Sequence, residues 1–435
     1  MSAESVKKAD FTEEFQKLLP QAQSVASSGN VEGGCELLLT LEKQARLAND
    51  VVTLKAIVGA TLQLCAHYKR WELLNHHITI LSKRRSQKSG AIAVLVQKSM
   101  EFLPLTPSES VKMKLIHALR QVAEGKMYLE KERATLTQIL SKIKETRGEI
   151  AQAASILQEV HVETFGAMTK LEKTEFILEQ IRLTLANKDH VRANILSKKI
   201  LRKTLEEKNF EECKLKFYGL LIEYETFVDN TLELCRHYLA MYHTLKARET
   251  EEWKDMLRHA VIFVVLTSHS DAQSELLRTL SSEKRLEEMP QIHSLLTQFT
   301  TREIIAYPLQ QDKMLREHAI FNDASRGSEW YKTLHTRVTE HNIRVIATHY
   351  ERIQLGHLAS MIGLSEQDAE DSISQLVSTG SIFAKMDRPA KLISFRAVQP
   401  PEKQLSAWSA DVAQLLALVE TTCHLINKEN MIHKI

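Results

Sequence analysis

A short pattern recurs through the first 250 residues of the chain: a polar turn, then a small or apolar residue four positions later, at the start of an amphipathic segment. Its copies begin near residues 30, 70, 149, 189 and 230, with a weak or missing member near 110. A spacing of about forty residues is typical of helical-hairpin solenoids, in which each hairpin buries its apolar face only against its neighbours. Polar turns precede helices in any helical protein, so coincidence is the alternative, but five copies on one spacing favour a solenoid.

The copies differ in sequence but keep the same two positions. The turn residues are Asn30, Arg70, Glu149, Asp189 and Asn230, and the residues four positions later are Gly34, Leu74, Ala153, Ala193 and Leu234. A small side chain early in a helix lets the partner helix approach closely. The pattern therefore predicts that the fourth position is buried between neighbouring helices.

Composition agrees with a helical chain and excludes several classes of protein. Only 13 glycines and 8 prolines occur in 435 residues, which disfavours folds with many tight turns. Lys plus Arg number 57 against 55 for Asp plus Glu, so the net charge of +2 indicates no polyanionic partner. The first residues are polar, with no secretory signal, and the apolar run 260–266 is too short to span a bilayer. We expect a soluble intracellular protein, with that run inside a buried helix.

The cysteines are scattered and odd in number, which predicts reduced, buried thiols rather than a disulfide framework. They are Cys35, Cys65, Cys213, Cys235 and Cys423.

The region 330–395 departs from the helical pattern. A helix is predicted over 330–350, followed by a short strand over 352–355, a helix over 357–362 and a second helix that Ser365 caps and Gly380 ends. Two alternating stretches, 381–386 and 391–395, then flank a four-residue turn and predict a two-stranded wing. Together these elements predict a winged helix.

Winged helices often bind DNA, but this one lacks the charge to do so. The helix that would enter the major groove, 366–379, carries four acidic residues and no Lys or Arg. The wing contributes only Lys385, Arg388 and Lys391. Because neutralisation of phosphate charges supplies most of the affinity for nucleic acid, the pattern favours a protein partner.

The exposed edge of the wing is the predicted contact with that partner. It is formed by Ile382, Phe383, Ala384, Lys391, Leu392 and Ile393.

The last segment has the clearest interaction pattern. After Pro400 and Pro401, a helix predicted from about Glu402 carries apolar residues on alternating three- and four-residue steps, a heptad seam. The seam consists of Leu405, Trp408, Val412, Leu415, Val419 and Ile426, with Thr422 in the remaining position, and Leu416 and Cys423 widen it. The helix could fold back on the winged helix, but a seam of about three heptads favours an intermolecular bundle.

These segments predict a mainly α fold: a right-handed, TPR-like solenoid of helical hairpins over 1–308, a connecting loop over 309–329, a winged helix over 330–399 and a C-terminal helix over 402–435.

The sequence contains none of the catalytic motifs that we looked for. There is no phosphate-binding glycine loop, and His161 and Glu163 lack the paired cysteines of a zinc deaminase. His76 and His77 lie outside any zinc-hydrolase motif. The sequence predicts no catalytic residue, no metal ligand and no cofactor.

A solenoid, a winged helix and a C-terminal helix are the plan of PCI-domain subunits, and local motifs narrow the likeness. The segments 156–168, 175–183, 337–353, 382–395 and 408–433 resemble the 26S proteasome regulatory-particle lid subunits of the non-ATPase subunit 12 type. The resemblance covers most of the chain. Its densest parts lie between about 130 and 240 and from 330 to the end.

The resemblance implies a non-catalytic scaffold of the proteasome lid in cytoplasm and nucleus. In that family the winged helices align into a horseshoe, and the C-terminal helices gather into one bundle with other PCI lid subunits. The solenoid arm contacts the ATPase ring and the core particle and restrains the deubiquitinating metalloprotease subunit. No nucleic acid and no membrane are implied. The alternatives are the equivalent signalosome subunit, a translation-initiation or RNA-associated PCI subunit, and a hydrolase.

Overall fold

The computed structural model describes residues 11–248, 252–322, 326–396 and 401–433. Two expectations fall outside these ranges: the absence of a secretory signal at residues 1–10, and the end of a domain at Pro400. The described chain is nearly all helical and forms two compact units, Met1–Asp229 and Asn230–Ile435. A helical-hairpin array followed by a PCI-type winged helix matches the predicted fold class.

The first unit is an array of consecutive helices joined by short turns. Its α-helices are α1 Thr12–Ser27, α2 Val31–Leu47, α3 Val51–His67, α4 Trp71–Lys83, α5 Ser89–Glu101, α6 Glu109–Ala123, α7 Glu130–Thr146, α8 Ile150–Gln158, α9 Lys170–Ala186, α10 His190–Ser197 and α11 Glu211–Val228.

The repeat in the sequence marks real helix boundaries. Helices α2, α4, α8 and α10 each begin one residue after a predicted turn residue, and α6 begins at Glu109, where the weak member was expected. The residue before each turn residue adopts a left-handed backbone, with φ of 96° at Gly29, 56° at Lys69, 80° at Gly148 and 61° at Lys188. One left-handed residue ends the preceding helix and redirects the chain. The turn therefore sets where each hairpin reverses.

The fourth-position residues are buried, as predicted. Leu74, Ala153, Ala193 and Leu234 are at most 2% exposed, and Gly34 is buried as well. Gly34 marks a close approach of two helices, because a Cβ atom placed on it would lie 2.7 Å from the main-chain oxygen of Ala22 on α1. Only glycine allows α1 and α2 to pack at this distance.

The second unit contains the remaining elements. They are α12 Thr231–Arg248, α13 Trp253–Leu266, α14 Asp271–Ser281, α15 Pro290–Thr300, α16 Asp312–Glu317, α17 Ala319–Asn322, α18 Gly327–His349, β1 Arg352–Gln354, α19 Leu355–Ile362, α20 Glu366–Ser378, β2 Lys385–Asp387, β3 Leu392–Ser394 and α21 Pro401–His433.

The apolar run 260–266 lies in α13 and is buried along its whole length, as expected. Within the described ranges, no helix is both long enough and apolar enough to cross a membrane.

The prediction of buried, reduced cysteines is confirmed at four positions and is wrong at Cys423, which is exposed on α21. A pattern of scattered cysteines carries no information about which helix faces are covered.

The segment 309–329 was predicted to be a connecting loop. The structure instead contains α16, α17 and the start of α18 there, and Leu315 and Ile320 are buried. Helices α16 and α17 have only six and four residues, which is too short for a helical periodicity to be detected in the sequence. The boundaries between the four predicted segments remain predictions.

The close approach at Gly34 generates a stability prediction. We expect Gly34→Ala to destabilise the first hairpin by about 1–2 kcal/mol, because the new Cβ atom would overlap a main-chain oxygen that can yield only by moving the helix. Amide hydrogen exchange of α1 and α2 would measure the change. The matched control is Gly59→Ala on α3, where a Cβ atom meets nothing within 4 Å, so helix propensity should raise stability by up to about 1 kcal/mol. Equal effects of the two changes would contradict the packing argument.

Candidate protein-binding surfaces

Helices α18, α19 and α20 and the three strands form the predicted winged helix. Helix α18 begins at Gly327, three residues before the predicted start, and Tyr350 lies beyond its end and is 38% exposed. The left-handed Gly363 and Gly380 follow α19 and α20, as predicted. The Ser365 hydroxyl caps α20 by accepting from the Asp368 amide at 3.2 Å. The residues at the turns and caps therefore determine where the helices of this module begin and end.

The sheet of the winged helix has the strand order β1-β3-β2, and both pairs are antiparallel. Ile393 on β3 is fully buried between its neighbours Ile353 and Met386. The core beneath the sheet also contains Leu358, Ile373 and Leu376 from the two short helices.

This strand order corrects part of the predicted wing edge. Leu392 and Ile393 were expected at an exposed edge, but they lie on the central strand β3 and have partners on both sides. The two alternating stretches are similar in sequence, so nothing in them showed which one would pair with β1. Within the described ranges β2 pairs with β3 alone, so β2 is the strand of the wing that forms an edge of the sheet.

The other predicted edge residues surround β2. Ile382 and Ala384 pack partly against the core of the winged helix. Phe383 is 42% exposed, with the Lys385 ammonium 5.9 Å from the centre of its ring. Lys391 is exposed at the turn before β3, with φ of 50°. An aromatic ring, a cation and a free strand edge therefore lie together on one side of the module.

The acidic helix and the basic wing neutralise each other. Arg388 donates to the Glu370 carboxylate at 2.8 Å, and the Lys391 ammonium lies 2.7 Å from the Glu366 carboxylate. Two of the three wing cations are thus paired with the helix that would face DNA. These exposed pairs contribute little stability, but they cancel the positive field that nucleic-acid binding requires.

The C-terminal helix α21 extends over 33 residues, and every side chain that the structure describes in it is exposed. The predicted seam residues are among them: Trp408 is 68% exposed and Leu415 is 62% exposed. The same holds for Leu405, Val412, Leu416, Val419 and Ile426. In the described chain the seam therefore does not fold back onto the winged helix.

A second apolar stripe on α21 was missed by the sequence analysis. Leu418, Leu425 and Ile432 are each more than half exposed, and they are separated by seven residues, or two helical turns. They lie beside the seam, on the flank away from Leu416 and Cys423. Their spacing of seven was the signal that could have revealed them. An apolar face that extends past both flanks of a seam is wider than one partner helix covers, so it is suited to burial among several neighbours.

A cavity of about 530 Å³ lies beside β2, between the winged helix and the helices before it. Three arginines line it, Arg278, Arg302 and Arg344, and no Asp or Glu occurs among its described lining residues. Burial lowers the pKa of Arg344, and its Nη1 atom is buried without a hydrogen-bond partner in the described part of the chain. Ile382 and Phe383 form the opposite wall. No sequence pattern predicted this cavity, because its arginines come from three separate segments.

Glu163, which the sequence analysis considered together with His161 as a zinc-deaminase candidate, forms an ion pair with Lys199. Burial raises the pKa of Glu163, but the Lys199 ammonium, 2.6 Å away, outweighs it, so the net shift is downward. A carboxylate held ionised in an ion pair is a poor general acid at neutral pH.

Comparisons with known proteins agree over most of the chain. Three family descriptions match: "PSMD12/CSN4, N-terminal" at residues 34–250, "PCI domain" at residues 309–397 and "26S proteasome regulatory subunit RPN5 C-terminal domain" at residues 405–434. The first of these carries two names, whereas the last carries only a proteasome name. The match over α21 therefore distinguishes best between a proteasome subunit and a signalosome subunit.

Curated relatives match nearly end to end. The chain is 39% identical to the 26S proteasome non-ATPase regulatory subunit 12 homolog A of Arabidopsis thaliana, over 94% of this chain and 99% of that protein. It is 38% identical to 26S proteasome non-ATPase regulatory subunit 12 of Dictyostelium discoideum, over 96% of this chain and 94% of the relative. Identity to the 26S proteasome regulatory subunit RPN5 of Saccharomyces cerevisiae is 34%, over 98% and 96% of the two chains.

The paired wing charges predict that the chain does not bind nucleic acid at physiological salt. Fluorescence anisotropy with labelled duplex DNA and single-stranded RNA should show no saturable binding. The variant Arg388→Glu with Lys391→Glu should behave identically, because both cations already face carboxylates. Salt-sensitive binding by the unmodified chain that this variant abolishes would contradict the prediction.

Proposed function

Because this chain belongs to the PCI-domain family of 26S proteasome non-ATPase regulatory subunit 12, known in yeast as RPN5, we propose that it is a non-catalytic scaffold subunit of the proteasome lid. It associates with other subunits of the regulatory particle. Its role is to help the lid assemble and to position the deubiquitinase subunit for ubiquitin-dependent protein degradation. Its location is that of the proteasome, in the cytoplasm and the nucleus.

The exposed helix α21 is the observation that carries this proposal. Eleven large hydrophobic side chains project from it into solvent, and soluble monomers rarely expose a contiguous apolar surface of this extent. Fully burying one Leu or Val contributes about 1.5–3 kcal/mol. The helix therefore has a large hydrophobic free energy that is realised only when a partner covers it.

The arrangement of these side chains indicates the kind of partner. The seam from Leu405 to Ile426 follows the heptad spacing with which one helix packs into another. The second stripe, with Leu418 and Leu425, lies beside the seam and widens the apolar face beyond what one partner helix covers. We therefore propose that α21 packs within a bundle of helices from other PCI lid subunits.

The winged helix offers the second contact surface. Its free edge, β2, is suited to pairing with a strand from a neighbouring PCI subunit, and Phe383 lies exposed beside it. The arginine-lined cavity next to this edge is complementary to an acidic side chain of the same neighbour. Of the residues predicted for this contact, Ile382, Phe383, Ala384 and Lys391 remain part of the proposal.

The helical array of the first unit serves as the arm of the scaffold. The PSMD12/CSN4 family description covers most of it, and the family resemblance directs such an arm toward the ATPase ring, the core particle and the deubiquitinating metalloprotease. We propose these as its partners. The array presents repeated helix faces over a long surface, which suits protein contacts rather than catalysis.

Two alternatives were a signalosome subunit and an RNA-associated PCI subunit. Over residues 405–434 the matching description names the proteasome alone, and the relatives above carry proteasome names. The mutual ion pairs of the wing argue against RNA. Both points support the lid over its competitors.

Charges on the seam should prevent assembly. We expect Trp408→Asp with Leu415→Asp to reduce incorporation into the lid by at least about 100-fold, because an unpaired carboxylate buried in a bundle costs several kcal/mol. The free chain should fold normally, since both residues are exposed in it. Co-purification with lid subunits would measure incorporation, and circular dichroism would measure folding.

The matched control places the same charges on another face of α21. Ala410→Asp with Ala417→Asp has the same spacing of seven residues and the same added charge, but both positions are exposed on the face of α21 opposite the seam. This control should assemble nearly normally. Normal assembly of the seam variant, or equal failure of both, would remove the bundle from the proposal.

Removal of α21 gives the most direct test of function. Tagged full-length chain should co-purify with proteasome ATPases and peptidase activity, and a chain ending at Pro400 should lose both, because it lacks the exposed helix. Proteins that accompany each form would be identified by mass spectrometry. Recovery of the truncated chain with intact proteasomes, or of the full-length chain with a different complex, would contradict the proposed function.

A further inference from the structure

Two thiols and one imidazole meet in the core of the first helical unit. Cys35 lies on α2, Cys65 on α3 and His77 on α4. The two sulfur atoms are 3.6 Å apart, and one donor atom from each of the three residues lies within 4.8 Å of the others. Three consecutive helices thus bring one potential metal ligand each to a single point.

All three side chains of this cluster are buried. Cys35 and Cys65 are fully buried, and His77 is only 5% exposed. Neither ring nitrogen of His77 has a hydrogen-bond partner in the described chain. Buried imidazole nitrogens are normally satisfied, so an unpaired one beside two sulfurs lacks the ligand that would compensate its desolvation. An ion bound by the three residues would satisfy one of these nitrogens.

The donor set and the geometry restrict the ion. Thiolate and imidazole donors select soft or borderline metals such as copper(I) and zinc, and disfavour the hard ions magnesium and calcium. Zinc in proteins is almost always four-coordinate, with a fourth side chain or a water molecule. Here the described residues supply three donors, and burial denies solvent access to a fourth position. Monovalent copper, a closed-shell ion, accepts three ligands of this kind.

From this geometry we propose that Cys35, Cys65 and His77 form a three-coordinate binding site for copper(I). The ion replaces the thiol protons, which pass to solvent, and no electron is transferred. Its bonds join α2, α3 and α4, so the bound form has a more rigid N-terminal hairpin array.

The test uses the full-length chain and copper(I) supplied as its complex with a competing chelator, bicinchoninate. One copper ion per chain should be retained against the chelator. X-ray absorption should show two sulfur ligands and one nitrogen ligand. Hydrogen exchange should slow in α2, α3 and α4 on binding and stay unchanged in α9, which contributes no ligand.

Variants locate the site. Cys35→Ser and His77→Leu should each weaken copper(I) binding by about 100-fold or more, because the loss of outer-shell groups alone costs 10–100-fold. Cys235→Ser is the matched control: this thiol is also fully buried but lies outside the cluster, so binding should not change. If a variant fails to fold, the X-ray absorption spectrum of the unmodified chain still identifies the ligands, because it requires no substitution.

Several results would overturn the proposal. They are failure of the chain to retain copper(I), retention that survives both cluster variants, and a spectrum without nitrogen. Tighter retention of zinc than of copper(I) through the same residues, with a fourth ligand in the spectrum, would overturn the three-coordinate assignment.

Discussion

The structure depends on one constraint: an amphipathic helix must have its apolar face covered. In the first unit this is achieved locally, because one left-handed residue before each turn folds a helix back onto its predecessor, and small residues such as Gly34 let the two approach. Helix α21 cannot meet the constraint within the described chain, since all its described side chains are exposed. In the proposed bundle, assembly would continue the same hydrophobic burial that drives folding, with the neighbours supplied by other chains.

The parts of the fold that sequence predicted are those that neighbouring residues encode. The starts of α2, α4, α8 and α10 follow from polar turns, and the ends of α19 and α20 follow from glycines that accept positive φ. The heptad seam of α21 is also local, because a single helix determines which side chains share a face. Its exposure agrees with the prediction of an intermolecular role but does not identify the partner.

The parts that sequence did not predict depend on pairings between distant segments. Leu392 and Ile393 were placed at an edge because alternation shows that a strand exists, not which strands flank it. The ion pairs of Arg388 with Glu370 and of Lys391 with Glu366 required the wing to fold over α20. The cluster of Cys35, Cys65 and His77 has no local spacing at all, since each residue comes from a different helix. The histidine pattern alone had therefore predicted no metal ligand.

The length of α21 has a consequence for a newly made copy of this chain. At 1.5 Å per residue a helix of 33 residues extends about 50 Å, so its apolar side chains are displayed over a distance comparable to a small domain. An exposed apolar surface of this extent is the kind that chaperones and quality-control proteases act on. If the proposed bundle forms, an unassembled copy would be exposed to them through the same helix that an assembled copy buries, and its cellular abundance should follow the supply of its partners.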